Sequence, residues 1–390
     1  MSRSALLWCV LIVVLLPGGG RVRATAAPPE AVRVSDDGRD FVLAQSGAAW
    51  RPWGFNYDHD DAGRLLEDYW IDEWDTVVGD FQEMRALGAN TVRIHLQFGR
   101  FVPRPGEVDQ RQIEQLGRLV ELAAATGLYL DLTGLGCYHK ADVPAWYDAL
   151  DEAERWAAQA EFWEAIARRV AGHAAVFCYD LMNEPVVAAA PRERGEWLGP
   201  AFAGKHFVQF ITLDPADRPR HEVARQWCRH LVDAIRRHDR RTPITVGLVD
   251  WSLDRPGLRS GFVPEQVAAE LDFISVHLYP QSGKVDEALE TLAGFAVGKP
   301  VVIEETFPLR SSRAEFEQFL DRSREVAAGW LGFYWGRTID EYRPPATIAE
   351  AMMLGWLELF SERSARGWAE CASEAGADTD AEPGEPAARP

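Results

Sequence analysis

Between about residues 50 and 360, eight short apolar runs alternate with eight stretches of helical periodicity, and that alternation leaves few folds open. Successive strands joined by helices run parallel, and such strands are buried on both faces. The runs read as strands at Trp53–Asn56, Asn90–Leu96 and Leu128–Leu132, within Phe177–Pro185, and at Ile244–Leu248, Phe273–Leu278, Val301–Glu304 and Trp330–Trp335. The helical stretches run from about Trp74 to Leu87, Asp109 to Gly127, Trp156 to Val170, Val223 to Ile235, Val267 to Leu271, Val285 to Phe295, Ala314 to Val326 and Ile348 to Phe360. Asp109 and Gln112 form a capping-box pattern for the second helix, and Gly88 and Gly127 act as stops. The fold class implied is α/β, a single (β/α)8 barrel over residues 27–370. Two connections are long: 58–73, rich in acids and aromatics, and 188–220, long enough for a lid.

The flanks read differently. Arg3 followed by the apolar stretch Ala5–Leu16 and Ala24-Thr25-Ala26 reads as a signal peptide over residues 1–26. The protein is therefore expected to be secreted or periplasmic. Arg21 and Arg23 lie close to the cleavage point and keep an uncleaved anchor open as the alternative. Residues 371–390 are rich in Glu, Ala, Gly, Asp and Pro, and read as a disordered acidic tail. The net charge of −19 argues against nucleic acid or an anionic membrane as partner. The five cysteines form no CxxC pair and no zinc spacing, so neither a structural metal nor a disulfide framework is expected. The fifteen tryptophans fill core, line a sugar-binding cleft, or do both.

Barrel enzymes carry their chemistry at the carboxyl ends of the strands. Phe177–Pro185 ends in Asn183-Glu184-Pro185; Pro185 cannot donate to a ladder, so pairing should stop there and leave Glu184 where strand meets loop. Val301–Glu304 likewise runs into Glu305. Two carboxylates at the same end of two parallel strands are the raw material of glycoside hydrolysis. Neighbours on a strand face opposite ways, so only one of Glu304 and Glu305 should point into the barrel mouth, and alternation alone does not choose between them. Arg93, inside the apolar run Thr91–Ile94, needs an anion: a structural partner or a catalytic carboxylate held ionised. The Asn183 amide can donate and accept, which suits a sugar hydroxyl. His277 and Tyr279 flank Leu278 and so face one side. Trp335 either fills core or offers a stacking platform.

Together these residues resemble the signature of family 5 glycoside hydrolases, retaining (β/α)8 enzymes that include cellulases and mannanases. The resemblance spans about residues 50–340. It rests on Arg93, Asn183-Glu184-Pro185, His277-x-Tyr279, Lys299-Pro300 followed by Glu305, and Trp335. It implies that Glu184 is the acid/base and Glu305 the nucleophile, with Glu304 behind them. It further implies that Tyr279 hydrogen-bonds the nucleophile, His277 sits near the acid/base, Arg93 steadies Glu305, and Asn183 and Trp335 meet the substrate. One departure stands out. Many cellulases of the family carry Asp-Leu-His at strand three, where this chain has Asp131-Leu132-Thr133, with His139 nearby as a candidate substitute. The order Tyr279-Pro280 and the pair Glu304-Glu305 look slightly closer to mannanases.

The mechanism implied is double displacement, with carboxyl groups about 5–5.5 Å apart. It needs no metal or organic cofactor. The expected partner is a carbohydrate, a β-glucan or β-mannan, met by a monomer that has no stable membrane partner once the signal is cleaved. An exo-acting or transglycosylating enzyme and a carbohydrate-binding pseudoenzyme are the alternatives. A phosphate-handling barrel would show Gly-rich turns after strands seven and eight. Here those turns carry Glu305-Thr306-Phe307 and Gly336-Arg337.

Overall fold

The computed structural model describes residues 29–256 and 259–368; the leader expected at 1–26 and the tail at 371–390 lie outside the described residues. Its centre is a closed barrel of eight parallel strands: β1 Trp53–Tyr57, β2 Thr91–Gln97, β3 Tyr129–Gly136, β4 Val176–Asn183, β5 Ile244–Val249, β6 Ile274–His277, β7 Val301–Thr306 and β8 Ala327–Gly332. Each pairs with its neighbours in the chain, and β8 closes on β1 by setting Trp330, Leu331 and Gly332 against Trp53, Gly54 and Phe55. Every residue of these strands is buried, which is why the runs are apolar nearly throughout.

The outer helices are α1 Trp74–Ala86, α2 Gln110–Thr126, α3 Glu152–Val170, α4 Arg220–Arg236, α5 Val285–Ala293, α6 Arg313–Ser323 and α7 Ile348–Ala365. Between β5 and β6, among the described residues, stand only short helical pieces: the turns Asp250–Ser252 and Ala268–Glu270 and the four-residue helix Pro264–Val267. Asp109 caps α2 through the Arg111 and Gln112 amides, and Gly127 ends it at φ 73°. The reciprocal half of the expected box does not form, because the Gln112 side chain accepts instead from Trp70 Nε1 at 3.0 Å. Reciprocal boxes head α3 (Asp151 with Glu154) and α6 (Ser312 with Glu315).

A small antiparallel sheet, Val32–Val34, Phe41–Leu43 and Ala49–Trp50, covers the amino-terminal mouth. Its Phe41 ring lies 5.1 Å from Phe177 and 5.2 Å from Phe273, at the start of β4 and just before β6. The open mouth is therefore the carboxyl end.

Two expectations need correcting. β8 starts and ends earlier than the aromatic run suggested: Ala327-Ala328-Gly329 is a weak strand signal, yet it opens the strand, which ends at Gly332. Pairing also does not stop at Pro185. Barrel pairing ends at Asn183, but Pro185–Val187 then forms a new parallel pair with Gln209–Thr212. The Gln209 amide donates to the Glu184 carbonyl, so the missing proline N–H leaves no gap. The 188–220 connection is thus partly a seated strand. It is anchored by the buried Trp197, whose Nε1 donates to Asp148 at 2.7 Å. Among the described residues Cys137, Cys178 and Cys228 are buried and unpaired, and no helix is long and apolar enough to cross a membrane.

Candidate active site

β2 supplies the hub. Arg93 points into the barrel with no exposure. Its Nη1 donates to Glu305 Oε1 at 2.7 Å and to Asn56 Oδ1 at 2.8 Å. Its Nη2 donates to Asp180 Oδ2 at 2.7 Å and Asn183 Oδ1 at 3.0 Å, with Glu304 Oε2 at 3.5 Å. A planar fork can serve this many acceptors at once; a point-like ammonium cannot.

Both adjacent glutamates of β7 face inward, contrary to simple alternation. His277 of β6 pairs with Glu305 while Val276 pairs with Ile303, so two residues of β7 oppose one of β6 across an irregularity. Glu304 lies deeper, fully buried, and accepts from Ser275 Oγ at 2.9 Å. Glu305 is 6% exposed and lines the cavity above. Arg93 and Tyr279 Oη each donate 2.7 Å bonds to it, one on each oxygen. Burial raises the pKa of Glu305, and the neighbouring His277 and Arg93 charges oppose that rise.

Glu184 reaches the site through an unusual backbone. At the end of β4 it adopts φ 47°, a left-handed conformation that costs a non-glycine residue about 1–3 kcal/mol. That turn brings its carboxylate to 3.0 Å from His277 Nδ1. Burial alone would lower the His277 pKa. The charge of Glu305, the hydrogen bond to Glu184 and the Glu304 carboxylate 3.5 Å away outweigh it and push it up to about 10. His277 is therefore an imidazolium among three carboxyl groups.

A carboxylate oxygen of Glu184, one of Glu305 and a ring nitrogen of His277 lie within 4.8 Å of one another. Asp131, Asp180 and Glu304 form a second such group beneath, wholly buried. The Arg93 guanidinium stands among the deeper acids, with Asp180 Oδ2 at 2.7 Å and Glu304 Oε2 at 3.5 Å. Burial and the Glu304 charge push the Asp131 carboxyl well above the usual carboxylate range.

Arg93, Asn183, Glu184, His277, Tyr279 and Glu305 thus meet in one cluster. Asn183 is more constrained than expected: Arg93 holds its oxygen, and its Nδ2 donates to the Phe207 carbonyl at 3.1 Å. Trp335 is a correction. It lies beyond β8, unexposed, with its ring 5.5 Å from Phe55. Phe333 and Tyr334 offer their rings to the cavity instead. His139 is a second correction: it sits in the turn after β3, 3.7 Å from Asp142, away from the cluster. The histidine beside Thr133 is His95, its partner in register on β2. Its Nε2 donates to Asn56 Oδ1 at 3.0 Å and its Nδ1 accepts from Tyr138 Oη at 2.5 Å. Burial, then the Arg93 charge, keeps it neutral. His95 was readable, since Arg93-Ile94-His95 puts it on the face of Arg93. Asp58 and His59, which follow β1, carry no comparable signal; the His59 ring stacks on Tyr334 at 4.0 Å.

Two expected outcomes follow from this packing. A Cβ at Gly247 would lie 3.0 Å from His277 Nε2, 3.1 Å from Arg93 Nη2 and 3.2 Å from Glu304 Oε2. Gly247→Ala should therefore displace groups locked by hydrogen bonds. It should cost about 1–3 kcal/mol of stability, read by urea unfolding, and about 10–100-fold in kcat/KM. The second outcome concerns pH. The folded pKa of His277, about 10, lies above its ordinary 6.5, so its stabilisation is full below pH 6.5 and is lost as pH rises through 10. His277→Gln should flatten the alkaline decline in stability, on the order of a few kcal/mol, when urea midpoints at pH 6 and pH 9.5 are compared. An equally steep decline in the variant would contradict the imidazolium assignment.

The family model described as cellulase (glycosyl hydrolase family 5) matches residues 55–338. Among solved structures, the chain is similar to an exo-β-1,4-mannosidase of Opitutaceae bacterium strain TAV5, at 19% identity and TM-score 0.63 over 85% of this chain. It spans 62% of that enzyme's length. An endo-1,4-β-mannanase of Rhizomucor miehei matches at 16% identity and TM-score 0.58, over 86% of this chain and 100% of that one. A family 5 protein of Streptomyces cattleya in complex with Manβ1-4GlcNAc matches at 18% identity and TM-score 0.55, over 73% and 71% of the two chains. No curated protein matches the sequence. A closed parallel barrel, paired glutamates at its open mouth and a family match over most of the chain agree: the protein belongs to glycosyl hydrolase family 5.

Proposed function

We propose that the protein is a retaining glycosidase for β-mannosidic or β-glucosidic bonds, with Glu184 as acid/base and Glu305 as nucleophile. The observation that carries this reading is the pair of Glu184 and Glu305 lining one cavity, their carboxylate oxygens and a His277 ring nitrogen within 4.8 Å of one another. Carboxyl groups that close suit direct attack; inversion needs about 6.5–9.5 Å to admit a water between them and the sugar. In the first step a Glu305 oxygen bonds to the anomeric carbon while the Glu184 proton passes to the departing oxygen. In the second, Glu184 takes a proton from water, whose oxygen displaces Glu305. Arg93 and Tyr279 hold both Glu305 oxygens for attack and receive the carboxylate when it leaves. His277 fixes Glu184 by hydrogen bond and balances charge between the two acids.

Mannose is preferred over glucose in this reading, supported by the mannosidase and mannanase among the enzymes of similar fold. Exo-action is the second reading, favoured by the 188–220 segment, which sets Phe202, Phe207 and Val208 beside Glu184. The sequence leader would place the enzyme outside the cytoplasm, where it works as a monomer on carbohydrate. A screen on β-mannan, manno-oligosaccharides, carboxymethylcellulose, xyloglucan and aryl glycosides tests the activity. Release of mannose alone from mannohexaose would mark exo-action; mixed short products would mark endo-action. No turnover of any β-mannoside or β-glucoside, activated aryl glycosides included, would overturn the reading.

A further inference from the structure

The walls of the cavity do not match a chain of sugars. The cavity holds about 390 Å³ with Glu184 and Glu305 on its floor. Among the described residues, apart from those acids and the hydroxyls of Tyr279 and Tyr334, no lining side chain is a strong hydrogen-bond donor or acceptor. Tyr279 already spends its proton on Glu305. The walls are built of Phe202, Phe207, Phe307, Leu309, Phe333 and Met353, among others, with no tryptophan. A sugar unit buried there would lose hydration from several hydroxyls and find few partners, at about 1–3 kcal/mol for each left unpaired.

The rim points the same way. Among the described residues the large hydrophobic side chains that stand exposed are Phe202 at 68%, Leu309 at 48% and Ile348 at 83%. Phe202 and Leu309 both line this cavity, from separate loops after β4 and β7. Ile348 begins α7, whose Met353 lines it too. Exposed apolar side chains gathered at one mouth mark a binding surface for apolar matter. By contrast, hydrogen-bonding groups concentrate beneath the floor, where Arg93, His95 and Asn183 lie buried and Tyr279 meets Glu305.

We propose that the cavity takes a glycoside with an apolar aglycone, an alkyl chain or aryl ring, one sugar resting on the polar floor and the aglycone against the phenylalanine wall. This rests on the glycosidase reading above and names its substrate class. The balance is that of any hydrolysis: the anomeric C–O bond breaks, water supplies the hydroxyl of the freed sugar and a proton to the aglycone oxygen, and an apolar alcohol leaves.

The test is a series of n-alkyl β-glycosides of one sugar, methyl to octyl, beside the β-1,4-linked oligosaccharides of that sugar and its phenyl glycoside. Leaving-group acidity barely changes along the longer alkyl members, so a rise in kcat/KM with length reports apolar contact. Full burial gives about fourfold per methylene, and partial burial should still raise kcat/KM more than tenfold from butyl to octyl. The octyl glycoside should exceed the disaccharide. Whether the phenyl or the octyl compound is better distinguishes a ring from a chain. Phe202→Ser with Leu309→Ser, both at exposed positions, should shrink the octyl-to-butyl ratio. A flat series, with oligosaccharides cleaved better than octyl glycosides, would overturn this inference and leave the glycosidase reading intact. No turnover even of activated aryl glycosides would overturn both.

Discussion

Glu305→Ala should lose turnover by about 10⁴-fold or more on every glycoside, the scale seen when a covalent nucleophile is deleted. The reason is geometric. Glu305 is the β7 carboxylate that reaches the cavity, while Glu304 lies fully buried beneath it. Azide entering the vacated space would attack from the face opposite the leaving group and give a glycosyl azide of inverted configuration. Glu184→Ala should behave differently. The nucleophile remains, so an activated aryl glycoside still forms the intermediate, which then accumulates for want of a base. Unactivated substrates should slow by about 10²–10⁴-fold more than activated ones, and azide should rescue with retained configuration. Glu304→Gln keeps the side-chain volume and contacts no substrate, so it should still form the covalent intermediate. Activity that survives in Glu305→Ala and disappears in Glu304→Gln would reverse the assignment.

Arg93→Met should be the most damaging change to the framework. It removes the cation from between Glu305 and Asp180, leaving buried carboxylates without their partner. Breaking one buried pair costs about 3–5 kcal/mol. The chemistry should suffer too. Burial already raises the pKa of Glu305, and losing the opposing Arg93 charge raises it further, so the acid limb of kcat/KM against pH should move to higher pH. Arg93→Lys separates charge from shape. A lysine restores a cation near Glu305 but lacks the fork that spans Glu305, Asp180, Asn56 and Asn183. It should recover part of the stability and the pH limb while kcat stays low. Stability by urea titration and pH-rate profiles of both variants check this. Full activity in Arg93→Lys would contradict the positioning role.

Much of the barrel was legible because its strands are buried on both faces and several of its helices, α2, α4 and α5 above all, bury one apolar face. β8 was misplaced because small residues, Ala327, Ala328 and Gly329, open the strand, while Phe333-Tyr334-Trp335, the end of the expected run, lie beyond it. Trp335 went astray with it. At the site, Glu184 and Glu305 were visible as strand-end acids, and Arg93 as a cation in an apolar run. The inward turn of both Glu304 and Glu305 was not, because a register irregularity between two strands leaves no mark in either strand alone. Asn56, Asp131 and Asp180 were missed for a similar reason. A polar residue inside a strand reads as an exception until its partners, distant in the chain, are known.

Covalent bonding of Glu305 to the sugar can be observed directly. Incubation with an activated 2-deoxy-2-fluoroglycoside of the accepted sugar slows release of the intermediate, and proteolysis with mass spectrometry then locates the label. A fluoroglycosyl ester on Glu305 and the retained anomer as the first product in turnover are the expected results. A label on Glu304, or no label together with an inverted first product, would contradict the assignment of Glu305.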